Sequence, residues 1–345
     1  MNSGNDFILT ISELEIGYFN QKKISSVFKN ISLSVREGEL IALIGRNGVG
    51  KSTLLKTIAR INRFVNGEIQ INNRPINQYT LKEWAKKISF VSTDPVYISN
   101  LTVRELVSLG RHPYTNWMFS LSEKDRNIIN KSINTVRIND LEFKNIDEIS
   151  DGERQRALIA RTLAQNTDII ILDEPTAYLD LPNRFEIIYL LHELSKNKQK
   201  TIIFSSHDLN LAISLADKIW LMEGASIFEG APEDLVLNGT FEHIFDNSLI
   251  NFDKITGQIK LIRESIDEIY VSGSGNAYIW TKKAVERLNF NISKNSNSLI
   301  KVYITEKQKK LIWELEINGK KFVYNNIYEL NLHLNQIKIF KNEQC

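Results

Sequence analysis

The chain has 345 residues, 42% of them hydrophobic and 24% charged, with a formal net charge of +2. That length suits one large and one small domain, and the near-neutral charge weighs against a nucleic-acid-coating protein. The single cysteine is Cys345, so no internal disulfide is expected. Residues 1–7 lack the layout of a secretory signal, and no apolar run approaches a membrane span, so any membrane role would go through a partner.

The first elements read as antiparallel strands. Phe7–Ser12 and Ile31–Arg36 alternate apolar and polar residues, as strands with one buried face do. Tyr18 lies between them. On a half-buried strand it is either a core or rim residue or a ring placed to stack on a purine.

An apolar run, Leu40–Ile44, then leads into Gly45, Arg46, Asn47, Gly48, Val49, Gly50, Lys51, Ser52 and Thr53, followed by a helical pattern from Leu54 to Ala59. The order strand, glycine loop, helix and the spacing G-x-x-x-x-G-K-[ST] define a phosphate-binding loop. Glycines let successive backbone N–H groups turn inward, and the helix N-terminus faces the same anion. Lys51 can reach the β- and γ-phosphates, and the Ser52 hydroxyl can ligate Mg²⁺.

Gly67–Ile76 predicts a short hairpin with an Asn-rich turn, Leu81–Lys87 one or two helical turns, and Ile88–Val91 a short strand. From Leu101 to Arg161 the pattern is helical, with capping boxes at Thr102/Glu105 and Ser122/Asp125. Ser150, Asp151, Gly152 and Glu153 open a further helix. That arrangement is either a plain cap or a second anion-binding helix start.

Ile169–Leu172 predicts a buried parallel strand with Asp173 and Glu174 at its carboxyl end, where α/β sheets bind ligands. Asp173 can hold Mg²⁺ directly or through water, and Glu174 can polarise a water; a surface carboxylate pair is the plainer alternative. Asp180 caps a helix with Pro182 in its first turn, and Phe185, Ile188, Leu191 and Leu194 are expected to line its buried face. Lys200–Ser205 predicts another buried strand. It ends at His207, which is either structural or functional.

Taken together, Gly45–Thr53, Ile149–Glu153, Ile169–Pro175, Leu179–Asp180 and His207 resemble, in order and spacing, the nucleotide-binding subunit of an ATP-binding cassette (ABC) protein. The resemblance covers roughly residues 7–265, with a helical subdomain at about 98–162. It implies an α/β fold: a mixed-sheet core with an antiparallel β subdomain and a helical subdomain. It implies an ATPase that uses ATP and Mg²⁺. By position, Tyr18 resembles the aromatic that stacks on adenine, Glu174 the general base and His207 the switch histidine. Ser150, Asp151, Gly152 and Glu153 occupy the signature motif, which binds ATP held by the opposite subunit. Asp180 matches the loop at the dimer interface.

Two positions depart from the family pattern. Thr93, followed by Asp94, stands where a magnesium-ligating Gln is usual. Asp151 and Glu153 bring carboxylates to the signature, where they would repel a γ-phosphate unless they point outward or cap the helix. Leu101–Tyr114 is similar to the importer ATPases for ferric siderophores, haem and cobalamin, in which a helix beginning Leu-Thr-Val precedes Gly-Arg-x-Pro. The implied partners are a second copy of the chain, a permease dimer in the membrane and, indirectly, a substrate-binding protein, with the ATPase on the cytoplasmic face and no nucleic acid. An exporter subunit and a non-transport regulatory ATP-binding module are the alternatives.

Residues 266–345 lie outside that resemblance. Ile269–Val271, Leu299–Thr305, Leu311–Ile317 and Lys321–Tyr324 read as strands, with a hairpin turn at Asn318-Gly319. Ala277–Leu288 and Ile327–Ile337 read as helices. A small α+β accessory domain is expected, and Gly273-Ser274-Gly275 reads as a turn.

Overall fold

The computed structural model describes residues 7–20, 23–92, 100–115, 119–245, 250–255, 257–262, 267–307 and 310–342. Thr93 and Asp94 lie outside them. The chain divides into two compact units, Met1–Asp246 with Phe252–Gln258, and Asn247–Asn251 with Ile259–Cys345.

The first unit opens with two long strands, β1 (Phe7–Asn20) and β2 (Lys23–Arg36), and then β3 (Leu40–Gly45), α1 (Lys51–Ile58), β4 (Phe64–Ile71), β5 (Arg74–Pro75), α2 (Leu81–Trp84) and β6 (Ile88–Val91). The helical stretch follows as α3 (Val103–Ser108), α4 (Glu123–Thr135) and α5 (Asp151–Gln165), joined by short 3₁₀ turns. The unit continues with β7 (Ile169–Leu172), α6 (Leu181–Lys198), β8 (Thr201–Ser206), α7 (Leu209–Leu215), β9 (Lys218–Glu223), β10 (Ser226–Gly230), α8 (Pro232–Leu237) and α9 (Thr240–Phe245). β11 (Ile250–Asp253) and β12 (Gln258–Leu261) lie at the crossover between the units.

Two sheets form here. One is antiparallel, in the order β2-β1-β4-β5; the other has the order β10-β9-β3-β8-β7-β6 and is parallel except for β10. Alternation along the parallel strands splits their side chains between two cores. Ala42, Leu172, Ile202 and Phe204 face the core built with α3, α4, α5 and α6. Leu43, Ile171, Ile203 and Trp220 face the core shared with α1 and the antiparallel sheet. Both faces are covered, which suits the unbroken apolar runs Leu40–Ile44 in β3, Ile169–Leu172 in β7 and Ile202–Phe204 in β8.

The α6 stripe differs from expectation. Ile187, Ile188, Leu190, Leu191 and Leu194 are buried, while Phe185 is exposed. Phe185 precedes Leu191 by six residues, which at 3.6 per turn turns it about 120° away from that face. Between α3 and α4, the Gly-Arg-x-Pro segment serves packing. Arg111 is buried, its Nε 2.8 Å from Asp125 Oδ1, and it donates through Nη1 to the Ala164 carbonyl at 2.7 Å. These bonds tie the 3₁₀ turn Leu109–Tyr114 to α4 and α5.

The second unit contains β13 (Asp267–Ser272), α10 (Gly275–Arg287), β14 (Phe290–Ser293), β15 (Ile300–Lys307), β16 (Lys310–Ile317), β17 (Lys320–Tyr324) and α11 (Ile327–Asn342). Its five-stranded sheet has the order β14-β13-β15-β16-β17, and Ile269, Val302, Leu315, Val285, Leu330 and Leu334 form its core. β14 is the element the sequence reading lacks.

Candidate active site

β8 stands between β3 and β7, so the carboxyl ends of three parallel strands meet: the loop after β3, Asp173-Glu174 after β7, and His207 after β8. This is where an α/β sheet gathers ligand-binding groups. A cavity of about 430 Å³ lies there, lined by Tyr18, Val27, Asn47, Gly48, Gly50, Lys51, Ser52, Thr53, Glu174 and His207.

The loop folds as its glycines demand. Gly50 takes φ 116° and is the N-cap of α1, which has no side-chain cap and no acidic residue in its first turn. Its first amides are therefore left to an incoming anion. Lys51 is buried, and its Nζ donates to the Gly45 and Arg46 carbonyls at 2.8 and 3.1 Å. Burial pushes its ammonium pKa down, and the Glu174 and Asp173 carboxylates oppose that. Tyr18 is exposed on the cavity wall, its hydroxyl 3.0 Å from Thr53 Oγ1.

The carboxylates are held firmly. Asp173 is buried, and its Oδ1 accepts from Ser52 Oγ at 3.0 Å and from Ser205 Oγ at 2.8 Å. Glu174 adopts φ 47°, its N–H donates to Ser205 Oγ at 2.8 Å, and its Oε1 lies 2.6 Å from His207 Nε2. Asp173 and Ser52 present hard oxygens side by side, which fits Mg²⁺. Among the described residues no group of three or more His, Cys, Asp or Glu forms a metal cage. A magnesium ion here would share its coordination with substrate phosphates and water, as that metal commonly does.

Ser150, Asp151, Gly152 and Glu153 are not in this cavity. Ser150 and Glu153 line another, of about 490 Å³, with Asn183 and Glu186. Ser150 caps α5, and its N–H and Oγ both donate to Glu153 Oε2 at 2.8 Å. These bonds, the amide's first, hold the Glu153 carboxyl below its ordinary pKa. Asp151 points outward and pairs with Arg154 at 2.9 Å. Asp180 caps α6, accepting from the Asn183 N–H at 3.0 Å. Asn183 in turn packs so closely on Gly152 that a Cβ there would stand 2.9 Å from its amide carbon.

Ser205 and Asn183 are contacts that the sequence reading did not single out. The signal for Ser205 was a serine closing an otherwise apolar run, Ile202–Phe204. Asn183 carried no signal, since its partner lies 31 residues upstream, at Gly152.

A glycine loop at a helix start, facing a carboxylate pair and a histidine across adjacent parallel strands, defines a P-loop nucleotide-binding cassette. A family model described as "ABC transporter" matches residues 28–177, and another, "Iron ABC transporter C-terminal domain", matches residues 267–335. The second match gives a family to the tail, which had stood outside the resemblance. An ABC transporter ATP-binding protein of Methanocaldococcus jannaschii is 37% identical over 74% of this chain and 87% of its own. The iron(3+)-hydroxamate import ATP-binding protein FhuC of Bacillus subtilis is 36% identical over 69% of this chain and 87% of its own. Among solved structures, the ATP-binding cassette MJ0796, dimeric and bound to ADP and Pi, superposes with a TM-score of 0.57 at 28% identity, covering 65% of this chain and 98% of that one. The chain belongs to the ABC transporter ATP-binding family, whose members bind and hydrolyse ATP.

Proposed function

We propose that this chain is the ATP-hydrolysing subunit of an ABC importer that takes up an iron chelate of the siderophore kind. The observation that carries the reading is the pairing, in one chain, of a cassette with an iron-transporter C-terminal domain. The import role of the FhuC relative supports it. Haem and cobalamin are the other cargoes of the subgroup that Leu101–Tyr114 resembles.

In this reading the loop amides and Lys51 hold the β- and γ-phosphates, and Tyr18 stacks on the adenine. Ser52 and Asp173 would hold Mg²⁺, which supplies charge neutralisation for phosphoryl transfer. Glu174 takes the proton of the attacking water, and His207, bonded to its Oε1, steadies the carboxylate beside the γ-phosphate. Ser150 and Gly152 serve ATP held by a second copy, a role supported by their place outside their own chain's cavity. Asp180 braces that interface through Asn183. Among the described residues no helix is long and apolar enough to cross a membrane. In keeping with the import role of the FhuC relative, the partners in this reading are a second copy, a permease dimer in the membrane and, through it, a substrate-binding protein, with this chain peripheral on the cytoplasmic side.

The test is phosphate release by the full chain co-purified with its permease, wild type beside Glu174→Gln, with uptake of a ferric siderophore, haem and cobalamin measured in parallel. Turnover and ferric-siderophore uptake that both vanish in Glu174→Gln are expected. An assembled complex that binds ATP but releases no phosphate would sink the motor and leave a regulatory module. Uptake of haem or cobalamin alone would reassign the cargo.

A further inference from the structure

The parallel ladder between β7 and β8 stops with Leu172 opposite Phe204. One residue further on, β8 presents Ser205, fully buried and absent from the cavity wall. Its hydroxyl accepts from the Glu174 N–H and donates to Asp173 Oδ1, both at 2.8 Å. A hydroxyl carries one proton and the carboxylate takes it, so the chain of bonds has a single direction. It runs from the Glu174 amide through Ser205 to Asp173, whose Oδ1 also receives the Ser52 hydroxyl.

Glu174 needs such a hold. It sits at φ 47°, in the left-handed region, directly before Pro175. A non-glycine residue rarely takes that conformation, and it persists only where the surroundings over-determine it. Here the N–H is fixed by Ser205, the carbonyl accepts from the Ala177 N–H at 3.0 Å, and the carboxylate meets His207. Ser205 and His207 are two residues apart at the end of the same strand. They grip Glu174 by its main chain and its side chain.

We propose that Ser205 is a positioning residue for ATP hydrolysis: by joining the Glu174 amide to Asp173 it aims the general base without touching the nucleotide. The inference rests on Glu174 being the base. It predicts a separation of chemistry from binding, since the phosphate contacts belong to other residues and Asp173 Oδ1 keeps the Ser52 hydroxyl when Ser205 is changed, whereas Ser205 Oγ alone is seen to hold the Glu174 amide.

The experiment uses the full chain with Ser205→Ala and Ser205→Thr. In Ser205→Ala, kcat is expected to fall by about 10- to 100-fold, the range a misplaced catalytic group produces. ATP KM and ADP Kd are expected to stay within about twofold. Ser205→Thr, which keeps the hydroxyl on a residue suited to a strand, should recover turnover. Hydrogen exchange of the Glu174 amide, measured in the nucleotide-free protein, should be slow in wild type and fast in Ser205→Ala. Wild-type kcat in a folded Ser205→Ala protein overturns the proposal. So does a parallel loss of ADP affinity and turnover, which is what a merely structural serine would give. If Ser205→Ala does not fold, the wild-type amide and Ser205→Thr decide: a Glu174 amide exchanging like an open loop, or no turnover in a folded Ser205→Thr protein, overturns it. Wild-type turnover in Glu174→Gln removes the base, and this inference with it, whatever the amide shows.

Discussion

Two helix N-termini in the first unit receive opposite treatment. α1 begins at Gly50 with no side-chain cap and no acid in its first turn. α5 begins at Ser150 with a complete capping box, and Asp151 and Glu153 both lie in its first turn. Orphan amides at a helix start attract an anion when nothing else satisfies them, and a carboxylate in the cap takes that place. The first start is thus open to phosphate, while the second is satisfied from within. A phosphate arriving at α5 must draw the Ser150 hydroxyl away from Glu153 and approach two carboxylates. One device, a loop leading into a helix, leaves its first amides without a side-chain cap in one place and closes them with its own side chains in the other.

The largest effects should come from breaking the open site. Lys51→Ala removes a buried cation beside Glu174 and Asp173, and weakens ATP binding by about 1.5–3 kcal/mol, the worth of a charged hydrogen bond. Titration of the full chain with ATP checks it, and wild-type affinity would show that the loop amides suffice. Gly50→Ala comes next. Its φ of 116° is open only to glycine, and an added Cβ would stand 2.9 Å from Val27 Cγ1. A cost of at least about 1–2 kcal/mol in unfolding free energy is expected, with weaker ATP binding. Gly152→Ala at the α5 start meets the end of the Asn183 side chain, which can turn aside. It should cost less than Gly50→Ala. Equal losses in urea unfolding would break the contrast between the two starts.

Much of this contrast was legible in the sequence, because it rests on local chemistry. The loop spacing, the capping pairs Thr102/Glu105 and Ser122/Asp125, and the apolar runs before Gly45 and Asp173 all act within a few residues, and each lies where local rules put it. The tail shows the same pattern: its helices and four of its five strands follow periodicity, while the four-residue β14 is too short to show a period. What escaped depends on neighbours far along the chain. Phe185 fits an apolar pattern, yet α6 is rotated by what packs on Leu191. Ser205 reads as the end of a strand until Glu174, 31 residues earlier, is brought against it. Whether Asp151 and Glu153 would crowd a phosphate turned on rotamers, which the structure settles as an outward ion pair and a cap.

Glu153→Gln sharpens the comparison from the other side, with a smaller effect. Glutamine can keep the capping box with Ser150, so the helix start stays folded while one negative charge leaves the signature. ATP-driven dimer formation by the full chain should strengthen by about 0.3–1 kcal/mol, the typical worth of a charge near a helix N-terminus. Sedimentation with ATP and Mg²⁺, at low salt, measures it. Weaker dimers would mean that Glu153 assists the approach of the phosphate.

The same substitution carries the smallest expected effect, on acid stability. The Ser150 amide, and then its hydroxyl, hold the Glu153 carboxyl below its ordinary pKa in the folded chain. A carboxyl depressed on folding binds its proton more readily in the unfolded chain. Its stabilisation is therefore complete above the unfolded value, about 4.3, and is lost as pH falls through the lower folded value. Glu83 and Glu105 are held low in the same way by Thr80 and Thr102, so the whole protein shares the trend. The difference in unfolding free energy between wild type and Glu153→Gln isolates the α5 box. It should be constant from pH 7 to about 5 and shift against wild type below about pH 4. The shift should be slight, because the residue is only partly buried and water screens its bonds. A difference that stays flat down to pH 3 would mean that the Ser150 contacts serve the protonated acid equally well, and that the α5 box closes the helix start by its hydrogen bonds and not by its charge.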